Sequence, residues 1–119
     1  MSFIKERIAS FGYAFEGISE VFQSQANFKI HGLAACVAIG AGFYYTISTI
    51  EWCLIVGCIA AVFCAETFNT AIEHLTNLVS PDHHVLAKKT KDAAAGAVLF
   101  MAIGAAVVGL LIFLPKLVG

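Results

Sequence analysis

Three polar side chains interrupt a long apolar stretch in the middle of the sequence. Glu66, Asn69 and Glu73 are spaced at i, i+3 and i+7, so an α-helix places them on one face. A carboxylate surrounded by lipid is costly, and it normally faces protein or water at a functional site. We therefore predict that these three residues, here called the polar stripe, carry the chemistry. The simpler interpretation, a hydrogen bond that packs two helices together, applies best to Glu66 taken alone.

The position of the polar stripe along its helix indicates what it can meet. If the helix enters the membrane at Trp52, Glu66 lies about 21 Å along the axis, roughly 9 Å short of the far edge of a hydrocarbon core of about 30 Å. Glu73 then reaches the cytoplasmic interface. The deeper carboxylate is placed to meet the hydroxyl group of a lipid, and the shallower one to meet a ligand from the cytosol.

Phosphoryl transfer from ATP to a lipid hydroxyl fits both halves of this arrangement. The reaction needs Mg²⁺ on oxygen ligands, a cation near the phosphates, and a base for the attacking hydroxyl. We predict Glu73 as a Mg²⁺ ligand, Asn69 as a residue that orients the metal or a phosphate, and Glu66 as the base. Lys91 and Asp92 are placed to meet the nucleotide, although an interfacial anchor and a helix-start residue are their ordinary roles.

The composition indicates a single domain embedded in a membrane. Of the 119 residues, 60% are hydrophobic and 13% are charged, whereas soluble domains are about a quarter charged. The formal net charge of −1 and the lack of an Arg- or Lys-rich arm argue against binding to nucleic acid. The four cysteines form no CxxC pair, so they predict neither a zinc site nor a disulfide framework.

Hydrophobic periodicity predicts an all-α integral membrane protein with one domain over residues 1–119. From 3 to 23 the large apolar residues recur every three to four positions, which is typical of an amphipathic helix on the membrane surface. A polar joint over 24–31 leads to three stretches that are apolar enough for transmembrane helices. The predicted spans cover residues 31–49, 52–78 and 92–115. Ser80-Pro81-Asp82 is a turn signal after the second span, and Pro115 is expected to close the third.

Basic residues lie on one side of the predicted spans. Lys5, Arg7 and Lys29 precede the first span and three lysines separate the second from the third, whereas the link between the first two has none. Because cytoplasmic loops carry the excess of Lys and Arg, we expect the N-terminus and the second loop to be cytoplasmic. Three spans are few for enclosing a polar site, so we also expect a homo-oligomer.

Four separated blocks of the sequence carry a specific pattern. The most specific is Glu66-x-x-Asn69-Thr70-Ala71-Ile72-Glu73. The other three are Ser10-Phe-Gly-Tyr-Ala-Phe-Glu-Gly17, Asn27-Phe-Lys-Ile-His31 and Ala87-Lys-Lys-Thr-Lys91-Asp92-Ala-Ala-Ala-Gly-Ala-Val98. In order and spacing these blocks resemble the small integral-membrane prokaryotic diacylglycerol kinases and undecaprenol kinases. The resemblance covers nearly the whole chain.

The resemblance implies a surface helix with three transmembrane helices, a homotrimeric bundle in the bacterial cytoplasmic membrane, and active sites shared between neighbouring subunits. It implies Glu66 as the proton acceptor and Glu73 as a Mg²⁺ ligand. The residues that it assigns to ATP are Tyr13, Asn69, Glu73, Asp82, His83, His84, Lys91 and Asp92. The residues that it assigns to the lipid substrate are Asn27, Phe28, Lys29, Ile30, His31 and Glu66. The acceptor that it slightly favours is undecaprenol, because the diacylglycerol branch usually has Glu at the position of His31.

Three positions depart from the family pattern. Gln25 stands where the family has a second metal-binding Glu, and its carbonyl oxygen can coordinate Mg²⁺ without a charge, so metal affinity is expected to fall. Asn77 stands where an Asp usually closes the signature, and Glu6 where an Arg is often found. These departures leave open a second hypothesis, a non-catalytic relative that acts as a membrane interaction or regulatory protein. A third, a small transporter with a proton relay, has support only from Glu66 and Glu73.

Overall fold

The chain folds into four α-helices, as seen in a computed structural model that describes residues 2–119. The helices are α1 (Phe3–Ser24), α2 (Ala26–Tyr45), α3 (Thr49–Val79) and α4 (Val85–Val118). Within the described residues there is no β-strand. Helices α2, α3 and α4 are each long and apolar enough to cross a membrane. The all-α membrane architecture expected from the sequence is therefore confirmed.

The joint between α1 and α2 is much shorter than the polar segment predicted over 24–31. Gln25 alone is non-helical, with extended backbone angles (φ −111°, ψ 115°), and α2 is already helical from Ala26. The reason is an aromatic cluster formed by Phe22, Phe28 and Phe63. The ring of Phe28 lies 5.3 Å from that of Phe22 and 4.7 Å from that of Phe63. This cluster stabilises a helix that begins at Ala26, because it packs the first turn of α2 against both α1 and α3.

A tight turn of three residues connects α2 to α3 at the other end of the bundle. Thr46 adopts left-handed backbone angles (φ 53°, ψ 57°), and the Ile47 N–H donates to the Gly42 carbonyl at 3.1 Å. Ser48 and Glu51 then form a capping box: the Ser48 hydroxyl accepts from the Glu51 N–H, and the Glu51 carboxylate accepts from the Ser48 N–H. Both helix ends are thereby satisfied, which fixes α2 and α3 as antiparallel neighbours.

The packed core of the chain lies close to this turn. Ile47, Ile55 and Ile112 are buried against one another and connect the turn to α3 and α4. Beside them the Lys116 ammonium donates to the Glu51 carboxylate at 2.8 Å, and both side chains are about one quarter exposed. The end of α4 is thus tied to the start of α3 by apolar contacts and by one ion pair.

The second loop begins where the sequence predicts it, because α3 ends at Val79 immediately before Ser80-Pro81-Asp82. His84 caps the next helix, since its Nδ1 accepts from the Leu86 N–H at 3.0 Å. Helix α4 does not end at Pro115 but continues to Val118. A proline in the last turn costs only one intrahelical hydrogen bond, and the Pro115 carbonyl still accepts from the Gly119 N–H at 2.9 Å.

Much apolar surface faces outward from the single chain. In α1 only Val21 is buried, and a row of large apolar side chains along the helix is exposed: Phe3, Ile4, Ile8, Phe11, Phe15, Ile18 and Phe22. Helices α2, α3 and α4 also expose many large hydrophobic side chains. Such a surface is typical of a chain that contacts lipid or other subunits on most sides.

Candidate active site

Glu66 is the buried acidic residue of α3. Its side chain is 3% exposed, and the neighbouring Thr70, also buried, donates its hydroxyl proton to the Glu66 backbone carbonyl at 3.0 Å. The α-helix over 49–79 places Asn69 and Glu73 on the same face as Glu66, as the spacing predicts. The carboxylate therefore lies inside protein at the deep end of the polar stripe.

His31 of α2 is the side chain that meets this carboxylate. Its Nε2 lies 3.2 Å from Oε1 of Glu66. Within residues 2–119 the other carboxylate oxygen, Oε2, accepts no hydrogen bond. Sequence reasoning assigned both residues to the lipid substrate but did not pair them, because 35 positions separate them and no local pattern reports the contact.

Asn69 carries a buried oxygen that lacks a partner in the described part of the chain. Its Oδ1 is shielded from solvent and accepts no hydrogen bond. One helical turn further on, Glu73 is half-buried. A buried acceptor without a donor is costly, so this oxygen is ready for a cation or for a donor from a bound molecule.

The residues predicted to hold Mg²⁺, Glu73 and Gln25, fit that ion by their chemistry. They offer a carboxylate and an amide oxygen, and Gln25 makes no side-chain capping bond at the start of α2. The unpartnered oxygen of Asn69 can add a second amide oxygen to this set. Across residues 2–119 no group of three or more His, Cys, Asp or Glu side chains is arranged to hold a metal. Mg²⁺ prefers oxygen ligands and is usually bound by one or two carboxylates together with phosphate oxygens and water. An incomplete all-oxygen set of this kind suits an ion that arrives with a nucleotide.

A polar cavity lies at the junction of α3, the second loop and α4. Its volume is about 230 Å³. Of the residues assigned to ATP, it brings together Asp82, His83, His84, Lys91 and Asp92. It also includes Asn77 and Lys88, which sequence reasoning did not assign to the site. The volume is below the roughly 300 Å³ at which ligand pockets usually begin, so one chain does not enclose a nucleotide by itself.

Of the two lysines that line this cavity, Lys88 is paired with a carboxylate and Lys91 with a neutral amide. Lys88 donates to the Asp92 carboxylate at 2.6 Å, one helical turn apart. Lys91 donates instead to the amide oxygen of Asn77 at 2.5 Å. Because Asn77 is neutral, the Lys91 ammonium is oriented without being neutralised, whereas the charge of Asp92 is offset by Lys88. Lys91 therefore remains available as a cation for phosphate groups.

The remaining predicted residues are not brought into this cavity. Asn69 and Glu73 lie outside its lining, closer along α3 to Glu66. Tyr13 is 70% exposed on α1. On α2, Asn27, Lys29 and Ile30 are exposed, while Phe28, also assigned to the lipid, is buried in the aromatic cluster.

An apolar cavity begins at His31 and runs between α2, α3 and α4. Its volume is about 190 Å³. Small side chains line it on two sides: Ala34, Ala35 and Ala38 from α2, and Ala102, Ala105 and Gly109 from α4. The cavity thus provides apolar space beside His31, the partner of the buried carboxylate.

Comparisons with known proteins show which family the chain resembles. Residues 12–113 match the family model described as prokaryotic diacylglycerol kinase. The chain is 48% identical over 108 residues to an undecaprenol kinase of Bacillus subtilis, which covers 91% of this chain and 88% of that protein. It is 39% identical over 111 residues to a diacylglycerol kinase of Synechocystis, covering 92% of this chain and 63% of that protein. It is 26% identical over 100 residues to a diacylglycerol kinase of Escherichia coli K12, covering 84% and 82%.

The match begins in the middle of α1, includes all of α2 and α3, and ends in the last turns of α4. The three relatives named above are kinases, which does not favour the hypothesis of a non-catalytic interaction protein. The chain belongs to the prokaryotic diacylglycerol kinase family, a family of membrane lipid kinases.

Proposed function

We propose that the chain transfers the γ-phosphoryl group of ATP to the hydroxyl group of a membrane lipid. The observation that carries the proposal is the Glu66 carboxylate, which is buried, held at Oε1 by His31 and, within residues 2–119, free at Oε2. A carboxylate in this state can take the proton of a hydroxyl group that approaches from the bilayer. Family membership supports a lipid as the acceptor.

The proposed step moves the γ-phosphoryl group from ATP to the lipid hydroxyl. The lipid hydroxyl oxygen forms a bond to the γ-phosphorus, and the bond from that phosphorus to the β–γ bridging oxygen breaks, with its electron pair leaving on ADP. The hydroxyl proton passes to Oε2 of Glu66. Glu73, Asn69 and Gln25 would hold Mg²⁺, which when bound neutralises charge on the phosphate oxygens. Lys91 adds a positive charge at the nucleotide.

The polar cavity at the second loop is proposed as part of the ATP site. The residues proposed to contact ATP there are Asp82, His83, His84, Lys91 and Asp92, with Tyr13, Asn69 and Glu73 completing the site. Because the cavity is small, we propose that a neighbouring subunit closes it, in a homotrimer with shared sites. The outward-facing apolar surface of α2 to α4 supports such an assembly.

Undecaprenol is the proposed acceptor in preference to diacylglycerol. The block from Asn27 to His31 ends in a histidine, and the relative named undecaprenol kinase is the most similar of the three described above. The apolar cavity beside His31 supports a lipid chain near Glu66. The exposed Asn27, Lys29 and Ile30 are proposed to contact the lipid at the interface, while Phe28 holds α2 in place.

The proposed location is the bacterial cytoplasmic (inner) membrane, with the N-terminus in the cytosol and α1 on the membrane surface. Lys5 and Arg7 on α1, Lys29 in the first turn of α2 and the three lysines in the first two turns of α4 support this orientation. Lys116 is a single basic residue at the opposite end of the bundle, so the excess of Lys and Arg stays on the proposed cytoplasmic side.

Transfer of labelled phosphate from ATP to undecaprenol and to diacylglycerol in mixed micelles tests the proposal. We expect transfer to undecaprenol to exceed transfer to diacylglycerol, and the variant Glu66→Gln to lower it by about 10²- to 10⁴-fold. Glu16→Gln, on the exposed face of α1, is the matched control and should behave like the unmodified protein. No transfer to either lipid by folded protein would refute the proposed activity, and flux of protons into liposomes without ATP would favour a transporter.

A further inference from the structure

We propose that His31 is a positioning residue, which acts on the reaction by holding the Glu66 carboxylate in place rather than by contacting the lipid. The proposal rests on the proposed function, in which Glu66 accepts the hydroxyl proton. The hydrogen bond in question joins His31 of α2 to Glu66 of α3 and sets the orientation of the carboxylate.

The direction of this hydrogen bond follows from the chemistry of its partners. A carboxylate that is to accept a proton must be ionised, so in the proposed reaction the hydrogen between Oε1 and Nε2 belongs to the imidazole and His31 is the donor. Within residues 2–119 this is the only hydrogen bond to the Glu66 carboxylate, and the only one between side chains of α2 and α3. Glu66 is 3% exposed and His31 20%, so water offers the carboxylate little substitute.

A single donor on a buried carboxylate decides where its two oxygens point. The Glu66 side chain has three rotatable bonds, and the hydrogen bond to His31 is the polar contact that selects one orientation of its buried carboxylate. With Oε1 fixed on His31, Oε2 is the oxygen left to face the acceptor. A misplacement of about 1 Å in a reacting group can lower a rate by about 10²-fold, so the donor has a large effect without touching the substrate.

The segments that carry His31 and Glu66 are held together by aromatic packing between α2 and α3. Phe28 precedes His31 by three residues and Phe63 precedes Glu66 by three, and the rings of Phe28 and Phe63 are in contact at 4.7 Å. The aromatic cluster therefore ties together the same short stretches of α2 and α3 that the hydrogen bond joins. On its other side His31 lines the apolar cavity, where no polar residue of the lining competes for its N–H.

Two substitutions of His31 separate the donor from the rest of the side chain. His31→Leu removes the N–H, and we expect kcat to fall by about 10²-fold while the KM values for ATP and lipid change by less than about threefold. His31→Gln can still donate from an amide N–H and should recover kcat to within about tenfold of the unmodified enzyme. His74→Gln is the control, because His74 is exposed on α3 and pairs only with Glu20; it should leave kcat unchanged.

Two kinetic results would overturn the proposal. One is a His31→Gln variant as slow as His31→Leu, since the donor would then not be the feature that matters. The other is a His31→Leu variant with unchanged kcat and a raised KM for the lipid, since His31 would then bind the acceptor directly.

A measurement without turnover keeps this inference separate from the proposed function. In protein labelled with ¹⁵N-histidine, Glu66→Gln should shift the Nε2 resonance of His31 and leave that of His74 unchanged, with His31→Gln identifying the resonance. An unaltered His31 resonance would overturn the positioning role even if the enzyme is active. A shifted resonance in a protein that transfers no phosphate would support the contact and refute the proposed activity instead.

Discussion

Gln25 is the residue at which the proposed metal site has a neutral amide in place of the family's carboxylate. It contributes an amide oxygen from the joint between α1 and α2, where its backbone is extended and its side chain makes no capping bond. Glu73 is then the one carboxylate among the three oxygen ligands proposed here. A hard cation such as Mg²⁺ is bound more tightly as carboxylates replace neutral oxygens.

Gln25→Glu is therefore expected to strengthen the metal site. The Mg²⁺ concentration for half-maximal phosphate transfer should fall severalfold, because a second negative charge is added beside Glu73. Titration of activity with Mg²⁺ at fixed ATP measures this directly. Gln23→Glu adds the same charge two residues earlier, on the exposed side of α1 where Gln23 bonds only to Ser19, and should leave the titration unchanged. Equal effects of the two changes would argue that Gln25 is not a ligand.

At the residue scale, the sequence predicted what one helix determines and missed what two helices determine together. The shared face of Glu66, Asn69 and Glu73 follows from helical geometry alone. The pairing of His31 with Glu66, and of Lys116 with Glu51, depends on how far one helix is shifted along another, which no local pattern encodes. Phe28 illustrates the same limit, since its role in the aromatic cluster depends on Phe63.

At the scale of elements, α3 is longer than a membrane requires. Its 31 residues extend about 46 Å at 1.5 Å per residue, against a hydrocarbon core of about 30 Å. The excess explains how one helix can present Glu66 at depth and Asn77 in the polar cavity beyond the lipid. Helix α4 is longer still, at 34 residues, and its polar first turns accompany α3 out of the membrane.

Gly42 is the residue that the turn between α2 and α3 most requires. A Cβ at this position would lie 2.7 Å from Cη2 of Trp52 and 3.1 Å from Cδ1 of Ile47. We expect Gly42→Ala to destabilise the protein by about 1–3 kcal/mol, as overpacking usually does, and to lower the midpoint of thermal unfolding in detergent. Trp52 is the single tryptophan of the chain, so its fluorescence should report the displacement. Gly40→Ala, where a Cβ meets nothing within 4 Å, is the control and should change neither measurement.

The bounds of the helices were predictable where side chains signal them locally. Ser80-Pro81-Asp82 ended α3 as expected, and the periodic apolar residues marked α1 over nearly its full length. Helix α4 begins at Val85, seven residues before the predicted span, because its first two turns are polar and an apolar span can be recognised only from residue 92. Pro115 was predicted to close the third span, but α4 continues to Val118, because a proline near the end of a helix removes little of its hydrogen bonding.

At the scale of the whole molecule, a single chain leaves its proposed site open. The polar cavity is small and borders solvent, and Asn69 has an unsatisfied buried oxygen in the described residues. Both features are expected if a neighbouring subunit supplies the missing wall. We therefore expect a homotrimer with shared sites.

Mixed oligomers test this arrangement. Two inactive variants, Glu66→Gln and Lys91→Gln, are co-expressed with different affinity tags, and oligomers that carry both tags are purified. If the base and the phosphate-binding lysine of one site come from different subunits, about one of the three sites in each mixed trimer regains both residues, and activity returns. Mixed oligomers that stay inactive would place both residues of each site in one subunit. Native mass spectrometry of the same samples measures the number of subunits.

The turn between α2 and α3 has a consequence for how the protein meets its surroundings. In the proposed orientation, this turn is the loop that faces the outside of the cell, and it consists of Thr46, Ile47 and Ser48 with their ends hydrogen-bonded to the flanking helices. A protease added to intact cells finds no flexible segment there to cleave, and an antibody finds no extended loop to bind. An inhibitor would accordingly have to reach this enzyme by dissolving in the membrane or by entering the cytosol.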